Sequence, residues 1–560
     1  MKNKCARTSI ETENSVIRHL FAVAFAAAAL SGCASVDGTS TSTCGATGAD
    51  TACTGQGAVR GIVQDGLVAF KGIPYAAAPV GQLRFRPPAA PLTWQGVRDA
   101  SAFGPVCPQL DGKEVIGNED CLTLNIWKPK QASTGALPVM VFLTGGGNHA
   151  FSGQGSPGFG GVKYNGEKLV PEGVVYVSFN ARLGALGYLA HPALDAEHSK
   201  NVSGNYGSLD HIAMLKWLRQ NIASFGGDPK RIFLFGTSAG GGNLCALMTS
   251  PQARGLFHGA AMQSSVPTGC EMQTLADAEQ GTGQRIAQLT GCDQAGTRAG
   301  NKADDRLADI AACLRGKSMK DIVRALPGTF GVLPRLYGPN VDGHVFPRQP
   351  IEIIRERGHS AMPVIVGNST EETMLFVNAV GPVTDATSYA AGIEKVFGSS
   401  NAAAIASRYP LQAYPTPRAA FVSLTTDALF TCQSRRVART LTEAGNPPVY
   451  RYLFAHALQN DAQQKALGAV HTIEHAFLFP WQGSYRPTGD DLKIQNAMIA
   501  YWSAMARTGA PGSAGGVAWQ PSTKAQDAYL EIAPALSMKS GAQDAHCDFW
   551  DGVKLPWPHL

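Results

Sequence analysis

The stretch Phe235-Gly-Thr-Ser238-Ala-Gly-Gly-Gly-Asn243 sets one serine between glycines two positions to either side. A strand-like run, Arg231-Ile-Phe-Leu-Phe235, leads into it, and small helix-compatible residues follow as far as Leu247. This is the G-x-S-x-G nucleophile elbow, in which the serine occupies a sharp strand-to-helix turn. The turn holds the serine in a strained backbone conformation, and side chains at the flanking positions would collide there. The helix start behind it offers free N–H groups and the positive end of a dipole to developing negative charge. In a chain with 63 glycines the bare pattern is cheap, and the strand before it and the helix after it supply the specificity.

A serine hydroxyl is a weak nucleophile, so the chemistry needs a base, a carboxylate to orient the base and donors for an oxyanion. In hydrolases built on this elbow the chain order is Ser, then Asp or Glu, then His. His456, His471, His475, His546 and His559 all follow Ser238. Of these, His471 sits in Gly468-Ala-Val-His471-Thr-Ile-Glu474, just past a glycine and just ahead of a helical stretch. Glu371 and Glu372 follow the apolar run 363–366 at its C-terminal end, where the sites of open α/β sheets gather. Gly145-Gly146-Gly147 closes another apolar run, and with Ala239 these glycines supply the backbone donors that a tetrahedral intermediate requires. A competing chemistry is also spelled here. His471-Thr-Ile-Glu474-His475 matches the inverted zinc motif H-x-x-E-H, which on a regular helix would put both histidines on one face.

The elements that must carry these groups alternate between strand and helix. Short apolar runs at 138–143, 173–179, 231–235, 258–263 and 363–367 read as buried strands. Ile212, Leu215, Leu218 and Ile222 fall at helical spacing, and residues 303–326 read as a further helical region. Such alternation predicts an α/β fold, a mostly parallel sheet flanked by helices. With 560 residues, 44% of them hydrophobic and 16% charged, the composition is that of a globular protein. A formal charge of +5 without a basic block gives nucleic-acid binding no support.

Lys2, Lys4, Arg7 and Arg18 precede an apolar run over 20–30, which is too short for a membrane span and reads as a signal peptide. It ends in Leu30-Ser-Gly-Cys33, which resembles a bacterial lipobox with Cys33 as the lipidated residue. The expected organisation is residues 1–33 as signal peptide with lipobox, 34–56 as a flexible Ser/Thr/Gly-rich tether, and 57–560 as the hydrolase domain. Contact with the membrane is expected only through the anchor at Cys33. Twelve cysteines without a C-x-x-C pair point to structural disulfides in an oxidising compartment, hence to export to the cell envelope or beyond.

Taken together, the motifs resemble the type-B carboxylesterase family, which includes the cholinesterases. The resemblance runs from about Gly57 to Trp557. It rests on Lys71-Gly-Ile-Pro-Tyr75, Leu83-Arg-Phe85, Glu119-Asp-Cys-Leu-Thr-Leu-Asn125 and Asn221-Ile-Ala-Ser-Phe-Gly-Gly-Asp-Pro229. Tyr501-Trp502, Ala506-Arg-Thr-Gly509 and Cys547-Asp-Phe-Trp550 extend it to the C-terminal end. The family implies an α/β-hydrolase fold with long loop and helical insertions over the active site. It implies Ser238 as nucleophile, His471 as base, Glu372 as the triad acid and Ser264 as a supporting hydroxyl. Glu371 stands where the family usually has Asp, Thr373 where it usually has Gly, and Asn148 where the oxyanion motif usually has Phe. Disulfides Cys107–Cys121, Cys292–Cys313 and Cys432–Cys547 are implied in the same way. From the cysteines that remain, Cys44–Cys53 and Cys245–Cys270 are the pairings taken, with the assignment among these four open.

The resemblance predicts hydrolysis of carboxylic esters through an acyl-enzyme, with no cofactor and no metal. Small-molecule or polymeric esters met outside the cytoplasm are the expected substrates, whether aromatic, plant-derived or synthetic. The alternatives are the zinc hydrolase spelled by H-x-x-E-H and a catalytically inactive binding relative.

Overall fold

The computed structural model describes residues 48–553, except 132, 157–160, 266–269, 297–302, 332–335 and 482. The expected signal peptide, Cys33 and Cys44 lie outside the described residues, as does the tether up to residue 47.

The apolar runs become strands because both faces of their backbone are covered. In Leu137–Leu143, the side chains of Val139, Val141 and Leu143 join one core, and those of Met140 and Phe142 join the other. The strand Gly227–Thr237 repeats this alternation, with Ile232 and Leu234 in the first core and Phe233 and Phe235 in the second. Burying each such side chain contributes roughly 1.5–3 kcal/mol.

Among the described residues the central sheet has eleven strands. In chain order they are β1 (Ile62–Gln64), β2 (Leu67–Pro74), β3 (Thr123–Pro129), β4 (Leu137–Leu143), β5 (Val175–Phe179) and β6 (Gly227–Thr237). They continue as β7 (Gly259–Gln263), β8 (Val364–Ser369), β9 (Val449–Phe454), β10 (Ala528–Ile532) and β11 (Ser537–Ser540). Their spatial order is β11-β10-β9-β8-β7-β6-β4-β5-β3-β2-β1. Neighbours from β10 through to β5 run parallel, and antiparallel strands finish both edges.

Helices cover the two faces. On one side lie α1 (Tyr206–Asn221), α2 (Ala239–Thr249) and α3 (Cys432–Glu443), through Ile212, Leu215, Leu244, Leu247 and Leu441. On the other, α4 (Gly489–Thr508) packs Met498, Trp502 and Met505 against Phe142 and Phe235. Thr488 caps α4, accepting a hydrogen bond from Asp491 N, and Gly509 at φ 75° ends it in the left-handed conformation.

Three expectations change. The segment 34–56 is not a tether throughout, because Thr51–Thr54 pairs antiparallel with Gly57–Arg60. Gly55 N donates to Asn221 Oδ1 at 2.7 Å, and Trp217 Nε1 donates to Gln56 Oε1 at 2.8 Å, so backbone and side chain anchor this stretch to α1. The helical region 303–326 is two helices, Ala303–Gly316 and Met319–Ala325, because Ser318 starts a new one by accepting from Asp321 N. The strand leading to Ser238 begins at Gly227 rather than at Arg231.

Between described residues the disulfides are Cys107–Cys121, Cys245–Cys270, Cys292–Cys313 and Cys432–Cys547, and such bonds belong to chains folded outside the reducing cytosol. Among the described residues no helix is long and apolar enough to cross a membrane.

Candidate active site

Ser238 lies between the end of β6 and the start of α2 with φ 55° and ψ −123°, a strained conformation for a residue with a side chain. The glycines around it are required by contact. A Cβ on Gly240 would lie 2.2 Å from Leu143 O, and one on Gly236 would lie 2.9 Å from the Gly240 carbonyl carbon. Ser238 N donates to Gln263 O at 2.9 Å, which ties the turn to the end of β7.

Opposite the serine, His471 Nε2 lies 2.8 Å from Ser238 Oγ, and His471 Nδ1 lies 2.5 Å from Glu372 Oε2. With a proton on Nδ1, the imidazole donates to Glu372 and accepts from the serine hydroxyl. Glu372 is wholly buried in a short turn after β8, and its Oε1 accepts from Ser369 N at 2.6 Å. The neighbouring Glu371 points elsewhere. Its Oε2 accepts from Ala469 N at 2.8 Å and from Thr370 Oγ1 at 2.6 Å, so it holds the loop on which His471 rides. Phe376 and Phe430 flank the imidazole, with ring centroids 5.0 and 5.2 Å away.

The glycine motif after β4 folds back against the elbow. Gly146 and Gly147 have φ of 88° and 60°, and both His149 N and Ala150 N donate to Gly146 O at 3.0 Å, closing a tight turn. A Cβ on Gly145 would stand 3.0 Å from Ser238 Cβ, so the motif begins against the serine itself. Asn148 continues the turn at φ 60°, and its Oδ1 accepts from Asn243 Nδ2 of α2 at 2.8 Å. Asn148 Nδ2 donates to Tyr337 O at 3.3 Å.

Behind the histidine lies a second buried carboxyl. Glu474 Oε1 accepts from Ser264 Oγ at 2.6 Å and from Tyr452 Oη at 3.1 Å, and Oε2 accepts from Ser369 Oγ at 3.2 Å. Burial, with the negative charge of Glu372 nearby, raises its pKa above the usual carboxylate range. Ser264 thus reaches the site through Glu474.

The zinc reading of H-x-x-E-H fails on backbone geometry. Thr472 is left-handed at φ 63°, and the turn after it, Ile473–Leu478, is 3-10, so the two imidazoles do not share an α-helical face. His471 turns toward Ser238, whereas His475 packs against the rings of Phe142 and Tyr164, where burial pushes its pKa down to about 4. His456 pairs with Asp491 at 2.6 Å and His546 with Asp427 at 2.8 Å, both away from the serine.

Sequence reasoning did not identify Asn243, Phe376 or Phe430 as parts of the site, nor assign Glu474 its hydrogen-bonding role. A carboxyl three residues past the histidine was a visible signal for Glu474. The others depend on contacts between distant parts of the chain.

Comparison with known proteins gives the family. Residues 49–550 match the model of the carboxylesterase family. The chain is 35% identical over 478 residues to the fumonisin B1 esterase of Sphingopyxis macrogoltabida, covering 82% of both chains. It is 31% identical over 526 residues to an acylcarnitine hydrolase of Mus musculus, covering 87% of this chain and 86% of that one. Among solved structures, a PNB esterase superposes with a TM-score of 0.74 at 28% identity, covering 90% of this chain and 99% of that one. With its α/β-hydrolase fold, the chain belongs to the carboxylesterase family and is a carboxylic ester hydrolase.

Proposed function

We propose that the protein is a serine esterase working through an acyl-enzyme. The observation that carries this reading is the unbroken series Ser238 Oγ, His471, Glu372, with contacts of 2.8 and 2.5 Å. Ser238 Oγ attacks the ester carbonyl carbon as His471 Nε2 takes its proton. Glu372 holds the tautomer and stabilises the imidazolium. The carbonyl oxygen, now an oxyanion, is bound by the N–H groups of Gly146, Gly147 and Ala239. Collapse of the tetrahedral intermediate breaks the bond to the alcohol oxygen, which leaves with the proton from His471. Water then repeats the sequence on the acyl-enzyme, releasing the acid and restoring Ser238.

Small esters met outside the cytoplasm are the proposed substrates. Relatives named for fumonisin B1 and acylcarnitine, together with the disulfides, support this reading. The lipobox reading of residues 30–33 adds an anchor at Cys33 of a bacterial envelope lipoprotein.

The test is hydrolysis of p-nitrophenyl esters from acetate to palmitate by wild type and Ser238→Ala, each with and without EDTA. Wild type should turn over the panel unaffected by EDTA, and the variant should lose roughly 10⁴–10⁶-fold in kcat. Activity that survives the substitution, or that EDTA abolishes, overturns the reading. A wild type inert on every ester would favour the inactive binding relative.

A further inference from the structure

A cleft of about 250 Å³ opens at the antiparallel edge of the sheet, where the strands β5 and β4 separate β3 from the β6 strand that leads to Ser238. Its floor is Ala69 of β2 and Trp127 of β3, and Lys71 and Phe103 form one wall. Lys163, Asn165 and Glu167 line it as well, and their segment is pressed against the floor, since a Cβ on Gly166 would stand 2.5 Å from Trp127 Cβ.

Lys71 and Lys163 share this cleft with the carboxylates of Asp65 and Glu167, but none of the four forms a close ion pair with another. Lys71 Nζ lies 4.8 Å over the Phe103 ring, and among the described residues no carboxylate oxygen stands within 4 Å of it. Its side chain is partly buried. Lys163 lines the same cleft. Of the acidic groups at the rim, Glu167 accepts from Asn165 Nδ2 at 2.7 Å, and Asp65 lies on the exposed turn between β1 and β2. Burial and the charge of Lys163 both lower the pKa of Lys71, more than Glu167 raises it. An ammonium in that state gains most from an anion that brings its own apolar body.

The geometry points to a second binding site in this cleft, for a small aromatic carboxylate whose anion sits between Lys71 and Lys163 and whose ring lies against Phe103 and Trp127. Such a ligand matches all three features, a cationic pair, an aromatic floor and a volume that admits one or two rings. The assignment is independent of the esterase reading, because none of the lining residues belongs to the Ser238 site.

The test uses 2-naphthoate as probe and its neutral counterpart 2-naphthalenemethanol as control, titrated calorimetrically into the full chain. Wild type, Ser238→Ala, Lys71→Met and Lys163→Met are compared, with each variant's fold checked by its thermal transition. Wild type and Ser238→Ala should bind the carboxylate alike and prefer it to the alcohol. Either lysine substitution should weaken carboxylate binding about ten- to a hundredfold while leaving alcohol binding unchanged. Two lysine variants are used so that one remains informative if the other fails to fold. Carboxylate binding that is absent in wild type, that persists within about twofold in a folded lysine variant, or that is lost in Ser238→Ala overturns the assignment.

Discussion

Asn243, five residues into the chain beyond Ser238, donates from Nδ2 to Oδ1 of Asn148 at 2.8 Å, so the helix behind the serine grips the turn that carries Gly146 and Gly147. Both amides are buried, at 4% exposure. The family motif usually has Phe where Asn148 stands, and here a directional bond takes the place of a packed ring. An amide pair fixes one orientation, whereas an apolar contact tolerates small slides.

Asn243→Ala should therefore loosen the proposed oxyanion donors. The expected loss is about a hundredfold in kcat with little change in KM, as for removal of one donor. The buried Asn148 left without its partner should cost roughly 1–3 kcal/mol of stability. A steady-state comparison and a urea melt check both, and an unchanged kcat would remove the positioning role.

Two adjacent glutamates divide the work. Glu372→Gln should drop kcat by about 10⁴, because an amide can no longer hold the productive imidazole tautomer. Glu371→Gln keeps an oxygen to accept from Ala469 N, so its kcat should stay within about tenfold of wild type. Kinetics of the two variants on one p-nitrophenyl ester separates them, and the reverse order would exchange their roles.

His211 packs edge-on to Phe179, and burial pushes its pKa down from 6.5 to about 4. The unfolded chain takes up a proton near pH 6.5 while the folded chain resists until about pH 4. The stability this group contributes is full above pH 6.5 and falls as pH drops toward 4. His211→Phe removes that dependence, so its acid-unfolding midpoint should move to lower pH. Tryptophan fluorescence across a pH titration reads it, and an unmoved or raised midpoint would contradict the assignment.

The Cys432–Cys547 bond closes a loop with a sequence separation of 115. Paired Cys→Ser substitution should lower stability by roughly 2–5 kcal/mol. Phe430, which packs on His471, precedes Cys432 by two residues, so kcat should fall as well. Differential scanning calorimetry and ester turnover on the same preparation test the two effects.

What could be read from residue order alone follows a physical divide. The elbow at Ser238 was legible because its constraints are local, with glycines two positions either side forced by backbone contact. The parallel strands were legible because burial on both faces leaves continuous apolar runs such as 137–143. The histidine and acid followed from chain order and from the family resemblance. The Asn148–Asn243 pair was not legible, since its partners are 95 residues apart and neither type announces a contact. Thr51–Thr54 was read as tether because its polar composition hides a strand whose value lies in pairing with 57–60 and in the anchor to Asn221. Phe376 and Phe430 reach His471 only through tertiary folding.

The closeness of Gly240 to the carbonyl of Leu143 has a consequence for how this protein can change. The elbow glycine and the end of the strand before the glycine turn meet main chain to main chain there, with no side chain between them to be swapped. Substrate preference is proposed to be written elsewhere, in the stretches 148–166 and 330–344, where the rings of Phe330 and His149 lie tilted with centroids 4.6 Å apart. Beyond Asn148, those loops could then be rewritten for a new ester while the reaction beneath them goes on, a separation that would make the scaffold easy to diversify.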